Sequence, residues 1–286
     1  MKIIKYFFEF IFIYALLIIF KIIGYKNASN LGEKIGIFFG PFVRSKEKII
    51  NNLKSSSIGA DDLERKKIIR KMWGNYGRIL AEYPFLEKFK KNIFKKYIEI
   101  EGIEYLEEIK KNNKKVVFIS GHFNNFELMA MQLENLGLNV ATIYRPLNNI
   151  FLNGIMEKIR LNHICKKQIK KGKSGTKKLL QLFKDGFSIA LMIDQRVSEG
   201  IKSKLFNRHA LTTTIPAQLV KKYNVDVVPI YIERKDNIYF KMYADKPIVF
   251  DEGKSLEEIT DELNEVLEKM ILKNPDQWIW THDRWK

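Results

Sequence analysis

The sequence predicts an α/β fold: a mostly parallel central sheet with helices on both faces, preceded by an N-terminal membrane-anchor helix and a helical segment. Three observations carry this expectation. From about residue 98 onward, short apolar runs alternate with amphipathic stretches, the pattern of strands and crossover helices. One of those runs, Val116-Val117-Phe118-Ile119, is apolar throughout and rich in β-branched residues, as in a strand covered on both faces. Residues 26–98 read as helical, and before them Phe10 to Phe20 is unbroken in its apolar character.

The N-terminal run is flanked by Glu9 and Lys21, with Ile22-Ile23 beyond. A spanning helix needs about 20 mostly apolar residues, so residues 3–23 are close to the minimum. No small-residue cleavage site follows, as a secretory leader would require. A retained anchor over residues 1–25 is expected, with an interfacial helix or a buried helix as the alternatives. Lys5 and Lys21 could reach headgroups.

Residues 26–286 are expected to form one domain, with a helical part at 26–98 and an α/β part at 99–286. Leu31 to Phe39 is amphipathic and carries Gly32 and Gly36, small residues suited to close helix packing. Ser57 to Asp62 is a loop and helix start. Arg65 to Leu86 has apolar residues at helical spacing. Strands are expected at 97–101, 115–120, 140–144, 187–193 and 225–232, with edge strands at 238–243 and 247–250. Helices are expected at 105–111, 126–136, 150–162, 176–184, 216–223 and 256–273. The basic run from Lys166 to Lys173 reads as a solvated loop, and residues 197–213 as another.

Composition narrows the class. At 286 residues the chain can bury a sizeable core. Hydrophobic residues are 46% and aromatics 13%, which excludes a disordered protein. The net charge of +17 points to an anionic partner: nucleic acid, an anionic membrane surface, a phosphorylated substrate or an acidic carrier protein. Nucleic acid is disfavoured, because the basic residues are scattered and match no recognition motif. One Cys, Cys165, excludes an internal disulfide and fits a reducing compartment.

The chemistry concentrates at Gly121-His122-Phe123-Asn124-Asn125-Phe126-Glu127. Gly121 allows a sharp turn after the strand, and Asn124 or Asn125 can cap the helix that follows. His122 then sits beyond the C-terminal end of a strand, where open α/β sheets place their ligands. Glu127 is positioned to fold back and hold one ring nitrogen, leaving the other free to take a proton. No second His or Cys stands at metal-ligand spacing, so no metal is expected.

This heptapeptide resembles the signature of membrane glycerolipid-type acyltransferases. With Glu as the acid it is most similar to the late acyltransferases of lipid A biosynthesis, the lauroyl and myristoyl transferases of Gram-negative bacteria. Further blocks follow in the family's order. Gly77 and Glu82 match a helix of the family. Tyr144-Arg145-Pro146 resembles a block in which an Arg holds an anionic substrate group, and Arg160 lies on the next helix. Asp194-Gln195 resembles a third block, which implies a positioning role for Asp194. Leu205 to Thr213 resembles a fourth, with Asn207 where the family usually has Gly. Gln277 to Lys286 resembles the C-terminal block.

The resemblance implies transfer of a fatty acyl chain from an acyl carrier protein thioester to a hydroxyl of a lipid A precursor. His122 is expected as general base, Glu127 as its orienter, and Arg145, Asp194 and Arg160 as substrate-binding residues. Backbone N–H groups near Gly121 or the helix start are the expected oxyanion donors. No cofactor is implied. The implied location is the cytoplasmic face of the bacterial inner membrane. Two alternatives stay open: an acyltransferase for another glycolipid or a glycerophosphate, and a non-catalytic basic membrane-binding protein.

Overall fold

The computed structural model describes residues 2–286, the side chain of Lys173 excepted. Helices come first: α1 (Lys2–Ile23), α2 (Tyr25–Val43), α3 (Lys46–Ser55), α4 (Asp62–Glu82), a 3-10 turn at Tyr83–Phe85, and the short α5 (Leu86–Lys90). Their ends follow local chemistry. Ser45 accepts from the Lys48 N–H at the start of α3, and Asp61 accepts from the Glu64 N–H at the start of α4, each satisfying an orphan donor of the first turn.

Helices α2 and α4 cross at a seam of small residues. A Cβ on Gly77 would lie 1.8 Å from the carbonyl oxygen of Gly32, and one on Gly36 would lie 2.1 Å from that of Trp73. The backbones touch, so no side chain fits between them.

The α/β part contains β1 (Ile98–Glu101), α6 (Ile103–Lys111), β2 (Val117–Ser120), α7 (Glu127–Asn135), β3 (Val140–Tyr144), α8 (Ile150–Ile159) and β4 (Lys167–Lys170). It continues with α9 (Lys173–Lys184), β5 (Ser188–Met192), β6 (Ile201–Leu205), β7 (Arg208–Thr212), α10 (Ile215–Tyr223), β8 (Val227–Lys235), β9 (Tyr239–Ala244) and α11 (Leu256–Lys273). Seven strands form one sheet in the order β1-β9-β8-β2-β5-β3-β4. Every neighbouring pair is parallel except β8–β9. The sheet is thus mostly parallel, and β2 at its centre is buried at all four positions, as a strand covered on both faces must be.

Two stretches expected to be loops are ordered strands. The basic run supplies β4, which pairs with β3 from Ala141↔Lys167 to Tyr144↔Lys170. Only Ile169 of this strand is buried; its lysines point outward and mark an edge, where charge discourages pairing with another chain. Residues 201–212 fold into the β6–β7 hairpin, turning at Phe206 and Asn207, both left-handed at φ 52° and 57°. That double positive φ is the two-residue turn matched to strand twist, and Asn207 tolerates it where Phe206 is strained. Residues 247–250, expected as a strand, contribute a single bridge from Ile248 to Val227.

Candidate active site

Strands β2 and β5 are parallel neighbours, with Ser120 opposite Met192. The chain leaving β2 carries His122, and the chain leaving β5 carries Asp194. The two side chains therefore meet at one rim. Nδ1 of His122 lies 2.8 Å from Oδ1 of Asp194, and the His122 backbone N–H donates to Oδ2 at 2.7 Å. The indole N–H of Trp278 donates to the same Oδ2 at 2.9 Å. The His122 ring stands edge-on to Phe126, 4.8 Å between centroids. Its Nε2 makes no hydrogen bond among the described residues.

Gly121 is small for a reason other than a turn. A Cβ there would come within 2.9 Å of the Phe123 ring and 3.3 Å of the Asp194 Cβ. The left-handed residue is Asn124, at φ 28°. Neither Asn124 nor Asn125 caps α7 with its side chain, contrary to expectation. Asn124 Nδ2 donates to the Ile232 carbonyl and to Gln277 Oε1, and Asn125 Nδ2 donates to Glu82 Oε2. Both amides are spent on tertiary contacts, which fix the loop from outside rather than the helix from within.

Glu127 is also partnered differently from the expected dyad. Its Oε1 accepts from the Tyr83 hydroxyl at 2.7 Å and from Arg160 Nε and Nη2 at 2.9 and 2.7 Å. No hydrogen bond joins it to His122 among the described residues. The brace on the imidazole is Asp194, because the rim geometry of two adjacent strands delivers a carboxylate straight to Nδ1. Glu127 instead anchors Arg160, which follows α8 in a π-helical turn at Arg160–Ile164 and lies over the Tyr144 ring at 5.9 Å. Arg145 stands exposed just past β3, with no hydrogen-bond partner among the described residues.

Most of the expected backbone oxyanion donors are engaged, while the N–H groups of Gly121 and Glu127 make no hydrogen bond among the described residues. The N–H groups of residues 122–126 go, in order, to Asp194 Oδ2, the Gly121 carbonyl, the Gln277 carbonyl, Asn124 Oδ1 and the Asn124 carbonyl.

The family model for bacterial lipid A biosynthesis acyltransferases matches residues 1–286. The chain belongs to that family. It is 24% identical over 265 residues to the lipid A biosynthesis palmitoleoyltransferase of Escherichia coli strain K12, covering 90% of this chain and 84% of that protein. It is 24% identical over 271 residues to the lipid A biosynthesis lauroyltransferase of the same organism, covering 92% and 86%. Among solved structures it is similar to the 1-acyl-sn-glycerophosphate acyltransferase of Thermotoga maritima, with 16% identity, a TM-score of 0.44, and coverage of 87% of this chain and 98% of that one.

In this acyltransferase the electrostatics around His122 are set by opposing forces. Burial pulls the imidazole pKa down; the charge and hydrogen bond of Asp194 outweigh it, with Glu127 adding in the same direction, and the net is raised above the ordinary value. Burial likewise pushes Asp194 up, but His122 and the Trp278 N–H hold it at about 2. An ionised Asp194 can only accept, so in neutral His122 the proton sits on Nδ1 and Nε2 keeps its lone pair.

Sequence reasoning did not anticipate three supports. Tyr83 opens the 3-10 turn just after Glu82, the last residue of the helix that matches the family, but nothing local aims it at Glu127. Glu82 is fully buried: Arg234 reaches it with two nitrogens at 2.5 and 3.0 Å, Ser29 at 3.0 Å and Asn125 at 2.9 Å. Trp278 and Trp280 are buried and not membrane-facing. Phe123 and Trp278 form an antiparallel bridge, so the C-terminal segment is a wall of the site.

Proposed function

We propose that the chain transfers a fatty acyl group from an acyl carrier protein thioester to a hydroxyl of a lipid A precursor, with His122 as general base and Asp194 as its brace. The observation that carries this is the uncommitted Nε2 of a His122 whose Nδ1 is held by a buried carboxylate, in a chain of this family. The attacking hydroxyl gives its proton to Nε2 as its oxygen adds to the thioester carbonyl. The imidazolium formed is stabilised by Asp194. The tetrahedral intermediate then collapses, the carbon–sulfur bond breaks, and the imidazolium returns the proton to the departing thiolate. An ester replaces the thioester.

The oxyanion requires donors, and the N–H groups of residues 122–126 are already taken. Arg160 supports this need: Nε and Nη2 are on Glu127, and Nη1 makes no hydrogen bond among the described residues. A guanidinium fixed on one edge by a carboxylate presents its other edge as a preorganised donor. Glu127 thereby acts on the reaction through Arg160 and through its field at His122. Arg145, exposed on the same rim, is assigned to the phosphate of the acceptor.

The test is a direct assay. Purified full-length protein with acylated carrier protein and a lipid A precursor should yield a product heavier by one acyl chain in mass spectrometry. Absence of that product, with transfer to a glycerophosphate acceptor instead, would overturn the acceptor assignment.

A further inference from the structure

Helix α1 has two unlike faces. Tyr6, Phe10, Ile13, Leu17, Phe20 and Ile23 are partly or fully buried, at helical spacing along its whole length. The opposite face carries Ile4, Phe8, Ile11, Ile18 and Ile22, exposed by 45–77%. The body fastens the helix at both ends. Asn149, which starts α8, donates to the Tyr6 carbonyl at 2.8 Å, and Phe151 packs on Phe7 and Phe10. Near the other end Phe20 is fully enclosed.

A helix of 22 residues is about 33 Å long, enough to cross a hydrocarbon layer of about 30 Å. Spanning would require the elements bound to its inner face to cross with it. Those elements include the start of α8 and its approach, where Asn148 and Arg145 are exposed. Glu9, on the helix itself, lies within reach of Lys5 and of Asn149. Polar groups of this kind are expensive in hydrocarbon. A wholly aqueous surface fits no better, since a continuous apolar face of this size marks a contact.

We propose that α1 lies in the plane of an anionic bilayer, at the boundary of headgroups and acyl chains, with its outer face in lipid and the turn at residues 145–150 beside it in the same layer. The chemistry matches on both counts. The outer face is apolar, while Lys2, Lys5 and Lys21 on the helix and a chain charge of +17 suit anionic headgroups. Leu147 and Ile150 are exposed by 38% and 61% next to the α1 contact and extend the apolar face.

The consequence for catalysis rests on the acyl-transfer reading. Residues Tyr83–Phe85 and α8 both pack against α1, and Tyr83 and Arg160 are the two groups that hold Glu127. The site therefore lies one layer of protein from the bilayer surface, at the level of a lipid acceptor's polar part.

Depth measurements test this in the full-length protein. Cys165 is buried, so single cysteines introduced at Ile4, Ile11, Ile18 and Ile150 can be labelled with bimane. Vesicles of phosphatidylethanolamine and phosphatidylglycerol would carry nitroxides at either shallow or deep positions. All four labels should show the same quenching ratio, biased to the shallow nitroxide. Ile4 and Ile18 are separated by about 21 Å along the helix, so a spanning helix would give shallow ends and a deep Ile11, which overturns the proposal. Separately, Ile150→Asp should weaken vesicle binding by about an order of magnitude; unchanged binding would remove the turn from the contact. Failure of acyl transfer would leave the depth profile intact, and a spanning profile would leave acyl transfer intact, so the two readings fail independently.

Discussion

Asp194 and His122, 72 residues apart, are joined twice: one carboxylate oxygen meets the imidazole and the other meets the backbone N–H of the same residue. The side chain and main chain of His122 are thereby locked to one group. That double attachment fixes both the direction of the ring and the position of the loop that carries it.

Replacing Asp194 with Asn should reduce kcat more than KM, by about 10²–10⁴-fold, the range for loss of a functioning general base. It should also move the acidic limb of the pH profile. Asp194 is what lifts the His122 pKa against burial; without it burial prevails and the pKa falls. The limb of kcat/KM should lie above the ordinary histidine pKa of about 6.5 in the wild type and shift to lower pH in the variant. A limb that does not move would show that another group titrates.

His122→Ala should abolish transfer by a similar or larger factor while leaving the far-ultraviolet circular dichroism unchanged, because the ring is at the rim and 20% exposed. A folded His122→Ala variant with near wild-type turnover would remove the general-base assignment.

Arg160→Lys keeps the charge and loses the fork that contacts Glu127 through two nitrogens. Turnover should fall at least tenfold with acceptor KM changed less, since an oxyanion donor acts in the transition state. A change confined to KM would reassign Arg160 to ground-state binding.

Glu82→Ala leaves the Arg234 guanidinium, 6% exposed, without its carboxylate. Removing one partner of a buried pair costs about 3–5 kcal/mol. Chemical denaturation in detergent should show a loss of that order. A loss under 1 kcal/mol would mean water or another group replaces the carboxylate.

Acid stability follows from the carboxylate at the centre of the site. Asp194 is depressed to about 2 from an ordinary value near 4. Its contribution is present above the ordinary value and is lost as pH falls from there through the folded value. Thermal unfolding should therefore show an acid destabilisation between about pH 4 and 2 that is smaller in Asp194→Asn by the contribution of this one carboxylate.

Much of the fold is legible in the residues. Val140–Tyr144 and Leu256–Lys273 are where periodicity puts them, and the Val117–Ser120 strand is shorter than expected by its lysine and first valine. Both the fold class and the family could be read from the order of blocks. The strand at Lys167–Lys170 was not legible, because an edge strand of lysines lacks the apolar signal that identifies central strands. The brace on His122 was not legible for a different reason. Spacing along the chain favours Glu127, five residues on, whereas strand adjacency brings in Asp194 from the next strand but two in sequence. The same applies to Tyr83 and Trp278, whose roles depend on which surfaces the tertiary fold brings together.

The bridge from Phe123 to Trp278, with the Gln277 carbonyl capping the Asn124 N–H and the Trp278 indole reaching Asp194, sets the timing of maturation. A ribosome that has translated as far as Lys273 has made every strand and every α-helix, yet the reactive centre still lacks its final clasp. Competence to turn over arrives only when the segment beyond α11 has threaded into place.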